Sequence, residues 1–393
     1  MDHKLEEGDL YCPMAHNGLQ LTLDTDPDVI GVNNCCLMSD SRFTTKPHPK
    51  VWDDVRFLPV IETNKKNQWH LPSCGNCHEV EKAGHVSFRQ GTYSAWGKEE
   101  RLSGPRRIDL SIKNSCNLAC RICGPGASTY WQKHMKDNGS IPIMQVPDGK
   151  GGAMDFNTSD FRSRNGKEQV EILKSFDLSN LRSLTFCGGE TLMGNDNWEV
   201  LEYLATLPHA KESLMISFQT NGTQEIPLKR HELLDKFWLI KLHISIDGIE
   251  ERFNYQRWPG DWHQVEDNLL KIREDAPSNV MFLIEETIGV FNLPYLGQVT
   301  DWREKNFNAN RDGDPVEHTH HVAQGMYHLR GATQEYWEFS KSDRKYDMIP
   351  NDWKEDPELI KKMLAEIKLH DGWRNQRFED SLPEVAEFYK RYL

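Results

Sequence analysis

The stretch RIDLSIKNSCNLACRIC, residues 107–123, joins a strand-like segment to three cysteines with the spacing C-x3-C-x2-C. Arg107 to Ile112 alternates polar and apolar side chains, which is typical of a half-buried β-strand. A short turn follows, and Cys116, Cys120 and Cys123 then lie within eight positions. The stretch therefore predicts a strand that leads directly into a loop able to bind a metal centre.

The same order of strand, loop and helix recurs downstream. Helical segments, the first at Ala127–Lys136 and the last at Trp262–Glu274, alternate with five predicted strands. This alternation favours parallel strands with right-handed crossovers. Because polar side chains follow several of the strands, a partial or full β/α barrel is favoured over an open sheet. The predicted strands are Arg107–Ile112, Leu181–Phe186, Leu214–Thr220, Leu239–Ile246 and Val280–Thr287.

The chain of 393 residues is long enough for two or three domains. Its net charge of −13 argues against bulk electrostatic binding to nucleic acid or to an anionic membrane, because both need a basic surface. The N-terminal sequence lacks the apolar segment of a secretory signal, and no run approaches the roughly 18 apolar residues of a membrane span. We therefore expect a cytoplasmic protein, whose nine cysteines act as metal ligands or catalytic groups more often than as disulfides.

Three thiolates on so short a loop can bind one face of an iron–sulfur cluster and leave one iron without a protein ligand. An open position of this kind can accept a substrate or cofactor, as open zinc sites do. Two other interpretations of Cys116, Cys120 and Cys123 stay open: a zinc site with a distant fourth ligand, and buried cysteines at a strand end. The spacing favours the cluster.

A second set of cysteines lies in the first hundred residues, a region of irregular sequence of the kind that a metal often stabilises. Cys74 and Cys77 form a C-x2-C motif, and Cys12 and Cys35 would complete a site of four thiolates, with Cys36 as a substitute. Four cysteines suit either zinc or an iron–sulfur cluster. The spacing does not decide between the two.

These motifs resemble the radical S-adenosylmethionine (radical SAM) superfamily, whose signature is the C-x3-C-x2-C loop. The resemblance extends to CGGE at Cys187–Glu190, QTNGT at Gln219–Thr223 and HISIDG at His243–Gly248, each at the end of a predicted strand. It implies a partial (β/α)6 barrel, a 4Fe-4S cluster on the three cysteines of the loop, and S-adenosylmethionine at the open iron.

The resemblance also implies which side chains contact S-adenosylmethionine. One would pack on the adenine, and the GGE segment would bind the methionine amino group. Two would lie at the ribose, and an arginine would meet the methionine carboxylate. For Asp247 the alternative to a role as a ligand is that its carboxylate fixes the loop. In that order the assigned residues are Ile122, then Gly188, Gly189 and Glu190, then Asn221 and Ser245, and finally Arg257.

The N-terminal region resembles the Twitch domain, a short form of the SPASM auxiliary-cluster domain, placed here before the core instead of after it. The match comprises C-P, a CC pair and C-x2-C-x3-E-x2-G-x2-S-x-R from Cys74 to Arg89. It implies an auxiliary iron–sulfur cluster, with a structural zinc site as the alternative. The predicted domains are 1–104 for the Twitch-like region, 105–322 for the radical SAM barrel and 323–393 for a helical extension.

The resemblance implies an enzyme, a radical SAM oxidoreductase. It would cleave S-adenosylmethionine reductively to a 5′-deoxyadenosyl radical and remove hydrogen from a substrate, which by analogy is a peptide or a protein side chain. A one-electron donor such as flavodoxin or ferredoxin would be its partner, and neither nucleic acid nor a membrane is expected. The alternatives are the same chemistry on a small metabolite, and a non-catalytic redox protein that binds iron–sulfur or zinc.

Two further features have a structural interpretation. EHTHH, residues 317–321, carries metal-ligand side chains, but on a strand His318 and His320 would face one side and His321 the other. We predict a late barrel strand or edge strand there rather than a metal site. Cys187 is predicted to be a small buried cysteine rather than a ligand.

Overall fold

The computed structural model describes residues 3–6, 8–24, 26, 28–38, 42–82, 84–147, 153–310, 313–322, 327–342 and 354–393. Within these ranges the chain forms eleven β-strands and sixteen α-helices. The strands are β1 (Gly18–Thr22), β2 (Ile30–Asn33), β3 (Phe43–Thr45), β4 (Arg107–Ser111), β5 (Ile143–Pro147), β6 (Ala153–Asn157), β7 (Ser183–Phe186), β8 (Met215–Thr220), β9 (Leu239–Ser245), β10 (Val280–Ile288) and β11 (Glu317–Val322). The helices are α1 (Pro13–Asn17), α2 (Leu58–Lys65), α3 (Leu71–Lys82), α4 (Phe88–Trp96), α5 (Thr129–Asp137), α6 (Gly166–Lys174), α7 (Asp196–Leu204), α8 (Ala210–Ser213), α9 (Leu228–Leu234), α10 (Glu250–Gln256), α11 (Trp262–Asp275), α12 (Leu296–Asn306), α13 (Gln334–Ser342), α14 (Pro357–Arg374), α15 (Phe378–Ser381) and α16 (Pro383–Tyr389).

The chain divides into two compact units, which are described separately. The first unit contains Met1–Asn114, Ser159–Phe218 and Glu232–Ile240. The second contains Ser115–Thr158, Gln219–His231 and Lys241–Leu393. Most of β8 thus belongs to the first unit and most of β9 to the second.

The first unit contains a sheet with the strand order β8-β7-β4-β1-β2-β3. Its central strand β4 pairs in parallel with β7 on one side and with β1 on the other, and β7 pairs in parallel with β8. Ile108 lies opposite Leu184 and Leu110 opposite Phe186, and all four side chains are buried. This apolar register fixes β4 and β7 side by side, so that the CGGE segment begins directly beyond the end of β7.

The second unit contains the strand order β9-β10-β11, in which β10 and β11 are parallel. Its main apolar core joins the carboxyl end of β10 to the C-terminal helices. Ile288 and Phe291 pack there in one cluster with Ile360 of α14 and Tyr389 of α16. The C-terminal helices are therefore part of the core of this unit.

All five predicted strands are confirmed, with bounds that differ by one or two residues. The helices expected between them are present as α5, α6, α7, α9 and α11, and EHTHH forms strand β11 as predicted. The α/β class with parallel strands is thus confirmed, because the apolar periodicity of each segment was long enough to define its type. The domain boundaries at residues 104 and 322 stay predictions.

The N-terminal region is more regular than its sequence indicates. It contains the helices α1 to α4 and the strands β1 to β3, and β1 extends the sheet of the first unit by pairing with β4. Leu19 and Leu21 are both fully buried in β1. Two apolar positions in a five-residue segment suffice for a strand when a long neighbouring strand supplies its hydrogen bonds, and local sequence does not reveal that neighbour.

Candidate functional site

The cysteine loop belongs to the second unit, and its backbone is held at successive positions. Ala119 N donates to Trp258 O at 2.7 Å, and Arg121 N donates to Gln256 O at 2.8 Å. The indole Nε1 of Trp131, on α5, donates to Cys120 O at 2.8 Å. These bonds fix the backbone on both sides of Cys120.

Helix α5 begins immediately after the loop because Ser128 caps it. Ser128 Oγ accepts from Trp131 N at 3.1 Å and donates to Leu118 O at 2.6 Å. One hydroxyl thus satisfies a free N–H of the first helical turn and a carbonyl of the cysteine loop. The cap couples the position of α5 to the path of the loop.

The three cysteines of the loop differ in exposure. Cys120 is buried, Cys116 is half-buried and Cys123 is exposed. Burial raises the pKa of the Cys120 thiol well above its usual value; the Arg257 charge opposes this shift, and Cys123 and Cys116 add to it. Cys116 and Cys123 thus both contribute to the electrostatic environment of the Cys120 thiol.

Asn221 lies beside the loop in the same unit. Its Nδ2 is 3.2 Å from Asn117 Oδ1 and 3.9 Å from Cys116 Sγ. Its Oδ1 accepts from Thr223 N at 3.0 Å, and Gly222 between them has φ +74°, so the Thr-Asn-Gly-Thr segment forms a tight side-chain-stabilised turn. The structure thus brings Asn221 to the predicted cysteine loop, and adds Asn117, which sequence reasoning missed.

Arg257 and Asp247 form a buried ion pair. Arg257 Nη2 is 2.7 Å from Asp247 Oδ2, and both side chains are at least 94% buried. Asp247 Oδ1 also accepts from Thr287 N at 2.8 Å. Burial raises the pKa of Asp247, and the Arg257 charge opposes that shift. Asp247 therefore fixes a loop and orients Arg257, the alternative role considered for it above.

Ser245 and Ile122 also belong to the second unit. Ser245 is the last residue of β9, directly before the loop that holds Asp247, and is half-buried. Ile122 is half-buried between Arg121 and Cys123. Four of the predicted S-adenosylmethionine contacts, Ile122, Asn221, Ser245 and Arg257, thus lie in the unit that contains the cysteine loop.

The GGE segment lies in the first unit, directly after β7. Gly188 and Gly189 have φ values of +83° and +63°, in the left-handed region that favours glycine. A Cβ at Gly188 would approach Lys113 O to 2.5 Å, so a side chain is excluded there. Glu190 is fully buried, and its Oε1 accepts from Leu192 N at 3.0 Å. The two glycines are therefore required by the backbone itself, whatever the segment binds.

Lys113 is a second residue that sequence reasoning missed. Its ammonium donates to Met193 O at 2.7 Å and pairs with Asp196 at 3.1 Å, while its side chain is 96% buried. It therefore ties the end of β4 to the loop after GGE. The sequence signal that could have identified Lys113 is its position directly after an apolar strand.

Cys187 precedes this segment and is half-buried rather than buried. Its backbone N donates to Leu110 O at 2.9 Å, which continues the pairing of β7 with β4. The neighbouring Arg107 has a raised pKa: burial opposes the shift, the charge and hydrogen bond of Asp109 are its main cause, and Cys36 and Cys187 contribute least. The role of Cys187 as a non-ligand stays a prediction.

Four N-terminal cysteines line one cavity in the first unit. Cys12 and Cys35 are buried, and Cys74 and Cys77 on α3 are partly exposed. Burial is the main cause that raises the pKa of Cys12 to about 12 and that of Cys74 to about 11; the charge of Cys77 is a smaller cause of both shifts. The neighbouring Cys36 is exposed and does not line the cavity. The structure thus brings together the four cysteines that the sequence predicted.

The rest of the C-x2-C-x3-E-x2-G-x2-S-x-R motif fixes this cavity. Arg89 is buried and forms a two-pronged ion pair with Glu81, at 2.9 and 2.7 Å. Its third nitrogen donates to Tyr11 O at 2.9 Å, next to Cys12. Ser87 Oγ donates to Glu81 Oε1 at 2.5 Å and caps α4 through Gln90. The motif therefore joins α3, α4 and the chain before Cys12 around the four thiols.

The sequence of residues 110–289 matches the profile of the Radical SAM superfamily. Residues 110–289 are thus similar to a radical SAM domain. The matched range includes the cysteine loop and every residue assigned above to S-adenosylmethionine, and it excludes the four N-terminal cysteines. The match covers the loop and its strands, while the Twitch interpretation of the N-terminal region stays a prediction.

Three solved structures illustrate what this chain is similar to. Native anSMEcpe with bound AdoMet has 16% sequence identity over 69% of this chain and 62% of its own, with a TM-score of 0.37. SuiB of Streptococcus suis bound to the precursor peptide SuiA has 11% identity over 93% and 75%, with a TM-score of 0.36. HydG, a maturase of the [FeFe]-hydrogenase, has 13% identity over 71% and 54%, with a TM-score of 0.34.

The chain therefore spans less than two thirds of the length of the anSMEcpe chain that it resembles. No curated protein matches the sequence. In the described part of the chain, no helix combines the length and the apolar character that crossing a membrane requires. None of the nine cysteines, all of which are described, forms a disulfide.

Proposed function

We propose that this chain is a radical SAM oxidoreductase with a 4Fe-4S cluster on Cys116, Cys120 and Cys123. The observation that carries the proposal is the cysteine loop itself, which lies within the segment that matches the Radical SAM superfamily and is held by backbone hydrogen bonds on both sides of Cys120. Three ligands from one loop suit a cluster with one iron left open. When bound, the cluster and S-adenosylmethionine supply reductive cleavage of a carbon–sulfur bond, which yields a 5′-deoxyadenosyl radical.

The protein side chains would bind and orient the cofactor. Arg257, held by Asp247, offers a fixed cation for the methionine carboxylate. Asn221, fixed by its turn, and Ser245 offer hydrogen bonds to the ribose, and Ile122 offers an apolar surface to adenine. Gly188, Gly189 and the buried Glu190 would take the methionine amino group. A desolvated site strengthens each of these contacts and keeps water from the reactive species.

We further propose that the N-terminal cysteines Cys12, Cys35, Cys74 and Cys77 bind an auxiliary iron–sulfur cluster in a Twitch-like domain. Their common cavity and the Glu81–Arg89 ion pair beside it support a preformed site. Four thiols are also a complete ligand set for zinc, which is the competing occupant. Flavodoxin or ferredoxin is the proposed electron donor, and a cytoplasmic location stays a prediction.

The proposal is tested by anaerobic purification, reconstitution and assay of 5′-deoxyadenosine with dithionite and S-adenosylmethionine. We expect about eight irons per chain if two four-iron clusters form, and about four irons with one zinc if the auxiliary site binds zinc. Cys120→Ala should lose about four irons and all 5′-deoxyadenosine. Cys36→Ala, which alters an exposed cysteine outside both sets, should lose neither.

If no 5′-deoxyadenosine forms above the Cys120→Ala background, the proposal that the chain is an enzyme is wrong. That result would support a non-catalytic metal-binding protein. Cys74→Ala separates the two sites, because it should lose the auxiliary metal and retain uncoupled 5′-deoxyadenosine formation. An equal loss of iron in Cys74→Ala and Cys36→Ala would contradict the auxiliary site.

The proposed substrate is a peptide or a protein side chain, by analogy with Twitch and SPASM proteins, and a small metabolite is the alternative. The test is to offer deuterated peptides and a deuterated metabolite extract in separate reactions. Deuterium in 5′-deoxyadenosine from the peptide reaction would support the proposal. Deuterium from the metabolite reaction alone would contradict the peptide assignment and retain the radical chemistry.

A further inference from the structure

Three side chains on the paired strands β10 and β11 converge on one point, away from both sets of cysteines in the sequence. Glu286 lies opposite His320 in the register, and Ile284 lies opposite His318. Glu286 Oε2 is 3.2 Å from His318 Nε2 and 3.5 Å from His320 Nε2. One ligand atom from each of the three residues thus falls within 4.8 Å of the others.

We propose that Glu286, His318 and His320 form a binding site for a divalent transition-metal ion of the zinc class. Two imidazoles and one carboxylate are a ligand set that open zinc sites use. Zinc–ligand bonds of about 2.0–2.1 Å at tetrahedral angles place neighbouring donor atoms about 3.3–3.4 Å apart. The distances from Glu286 Oε2 to the two imidazole nitrogens, 3.2 and 3.5 Å, bracket that value. The carboxylate is therefore already at ligand spacing from both imidazoles.

The burial of Glu286 favours a positive charge beside its carboxylate. Its side chain is fully buried, whereas the side chains of His318 and His320 are 8% and 22% exposed. An ionised carboxylate in such a place is costly unless it is paired or coordinates a metal. Among the described residues, neither Glu286 Oε2 nor His318 Nε2 has a hydrogen-bond partner. A cation at the common point would satisfy both atoms.

A neighbouring side-chain amide fixes the carboxylate of Glu286. Asn292 Nδ2 lies 3.4 Å from Glu286 Oε1 and donates to Thr287 O at 3.0 Å. A buried amide that orients a carboxylate ligand from behind is a common outer partner in metal sites. With three protein ligands, a fourth position stays open to water or another small ligand.

His321 provides the matched control on the same strand. It lies on the opposite side of β11 and is 3.8 Å from Glu285, which also accepts from His243 Nδ1 at 2.6 Å. It thus has the same chemistry as His318 and His320 and nearly the same place in sequence, but a different partner. A zinc effect specific to Glu286, His318 and His320 should leave His321→Ala unchanged.

The test uses the full chain with its iron–sulfur sites reconstituted, so that cysteines do not bind the probe. The protein is dialysed against a small excess of Zn²⁺, passed over a desalting column, and zinc and iron are counted. We expect one zinc per chain in the parent protein and in His321→Ala. His318→Ala, His320→Ala and Glu286→Gln should each lose that equivalent with the iron count unchanged, and added Zn²⁺ should raise the unfolding temperature only where it binds.

Substitution with Co²⁺ separates this site from any residual thiolate site. Nitrogen and oxygen ligands give visible d–d bands without the intense near-ultraviolet charge-transfer band of cobalt thiolates. Equal zinc content in His320→Ala and His321→Ala, or a cobalt spectrum with thiolate bands only, would overturn the proposal and leave an ion-free His–Glu–His contact. Because Glu286→Gln retains the shape of the side chain, a folded variant remains for the comparison. The site and the radical chemistry are tested independently, since this readout requires no turnover.

Discussion

Arg121 is the side chain inside the cysteine loop that determines where the loop is held. Its guanidinium is fully buried; it pairs with Asp371 at 2.5 Å and lies 3.7 Å above the ring of Tyr255. Asp371 also accepts from Phe378 N at 2.7 Å, so the pair has further hydrogen bonds to offset its burial. Within CNLACRIC the arginine appeared as an ordinary polar residue between two metal ligands, because the sequence does not show a partner 250 positions away.

Arg121→Met should destabilise the protein by about 3–5 kcal/mol, since it leaves Asp371 as an uncompensated buried charge. It should also lower the iron content of the cysteine loop. Denaturant unfolding and an iron assay measure the two effects. Arg377→Ala, which removes an exposed ion pair with Asp380, is the control and should cost no more than about 1 kcal/mol. Similar losses in the two variants would contradict the anchoring role of Arg121.

Gly188 offers a second prediction at a single residue. Gly188→Ala should lower stability by at least about 1–2 kcal/mol, because its positive φ penalises a side chain and the new Cβ would meet a carbonyl. Gly91→Ala, on the exposed face of α4 with nothing near its Cβ, should instead raise stability by about 0.4–1 kcal/mol. Urea unfolding of both variants checks the opposite signs; a shift of the same sign in both would refute the argument.

At the scale of elements, helix α5 contains a buried histidine with a pH effect. Burial, the Arg374 charge and the His370 charge lower the pKa of His134 to about 4. Its ring packs against Trp258 with centroids 4.5 Å apart, and Asn138 Nδ2 lies 3.5 Å from its Nδ1. The folded protein therefore keeps this imidazole neutral, whereas the unfolded chain protonates it near pH 6.5.

Because the pKa of His134 is lower in the folded protein than in the unfolded chain, acid lowers the stability of the folded protein. The stability that neutral His134 contributes is present above about pH 6.5 and declines as the pH falls towards 4, because protons then favour the unfolded chain. His134→Gln takes up no proton, so its unfolding free energy should fall less steeply between about pH 7.5 and 5.5 than that of the parent protein. Urea titrations across that range measure both slopes. His263→Gln, at an exposed site, should retain the parent slope, and parallel slopes for all three proteins would disprove the effect.

The sequence was most informative about the type of each secondary-structure element. The apolar alternation in the five predicted strands defined their type, and the short motifs after them defined the candidate site. Pairing was not predictable, because hydrogen bonds between strands such as β1 and β4 are not encoded in either segment alone. For the same reason the contacts of Glu286 were not predictable. Two consecutive glutamates inside an otherwise apolar strand are a signal in the sequence, but their histidine partners lie on another strand.

At the scale of the whole molecule, the C-terminal helices act as part of the second unit's core. Helices α14, α15 and α16 and Leu382, which joins the last two, contribute nine residues to the apolar cluster that also contains Ile288 and Phe291: Ile360, Met363, Leu364, Ile367, Phe378, Leu382, Val385, Ala386 and Tyr389. Each fully buried side chain of this size contributes about 1.5–3 kcal/mol of transfer free energy. Their combined loss exceeds the net stability of a typical domain.

Deletion of residues 354–393 should therefore prevent folding of the second unit instead of removing a dispensable extension. We expect an insoluble product, or a soluble one that binds the dye ANS and holds no iron on the cysteine loop. Deletion of Leu393 alone, whose side chain is 57% exposed, is the control and should leave solubility and iron content unchanged. A soluble truncated protein with a full iron count would show that the helices are separable.

The hydrogen bonds between the cysteine loop and α14 also set an order of events during biosynthesis. Arg374 Nη2 donates to Ala119 O at 2.9 Å, and Asp371 holds Arg121; these partners lie 255 and 250 positions apart. At about 5–20 residues per second, the ribosome makes the second partner roughly 12–50 seconds after the first. The nascent loop therefore lacks these two contacts at first, and its full set of hydrogen bonds is reached only after translation has passed Arg374. Iron delivery to this loop should accordingly be a post-translational event.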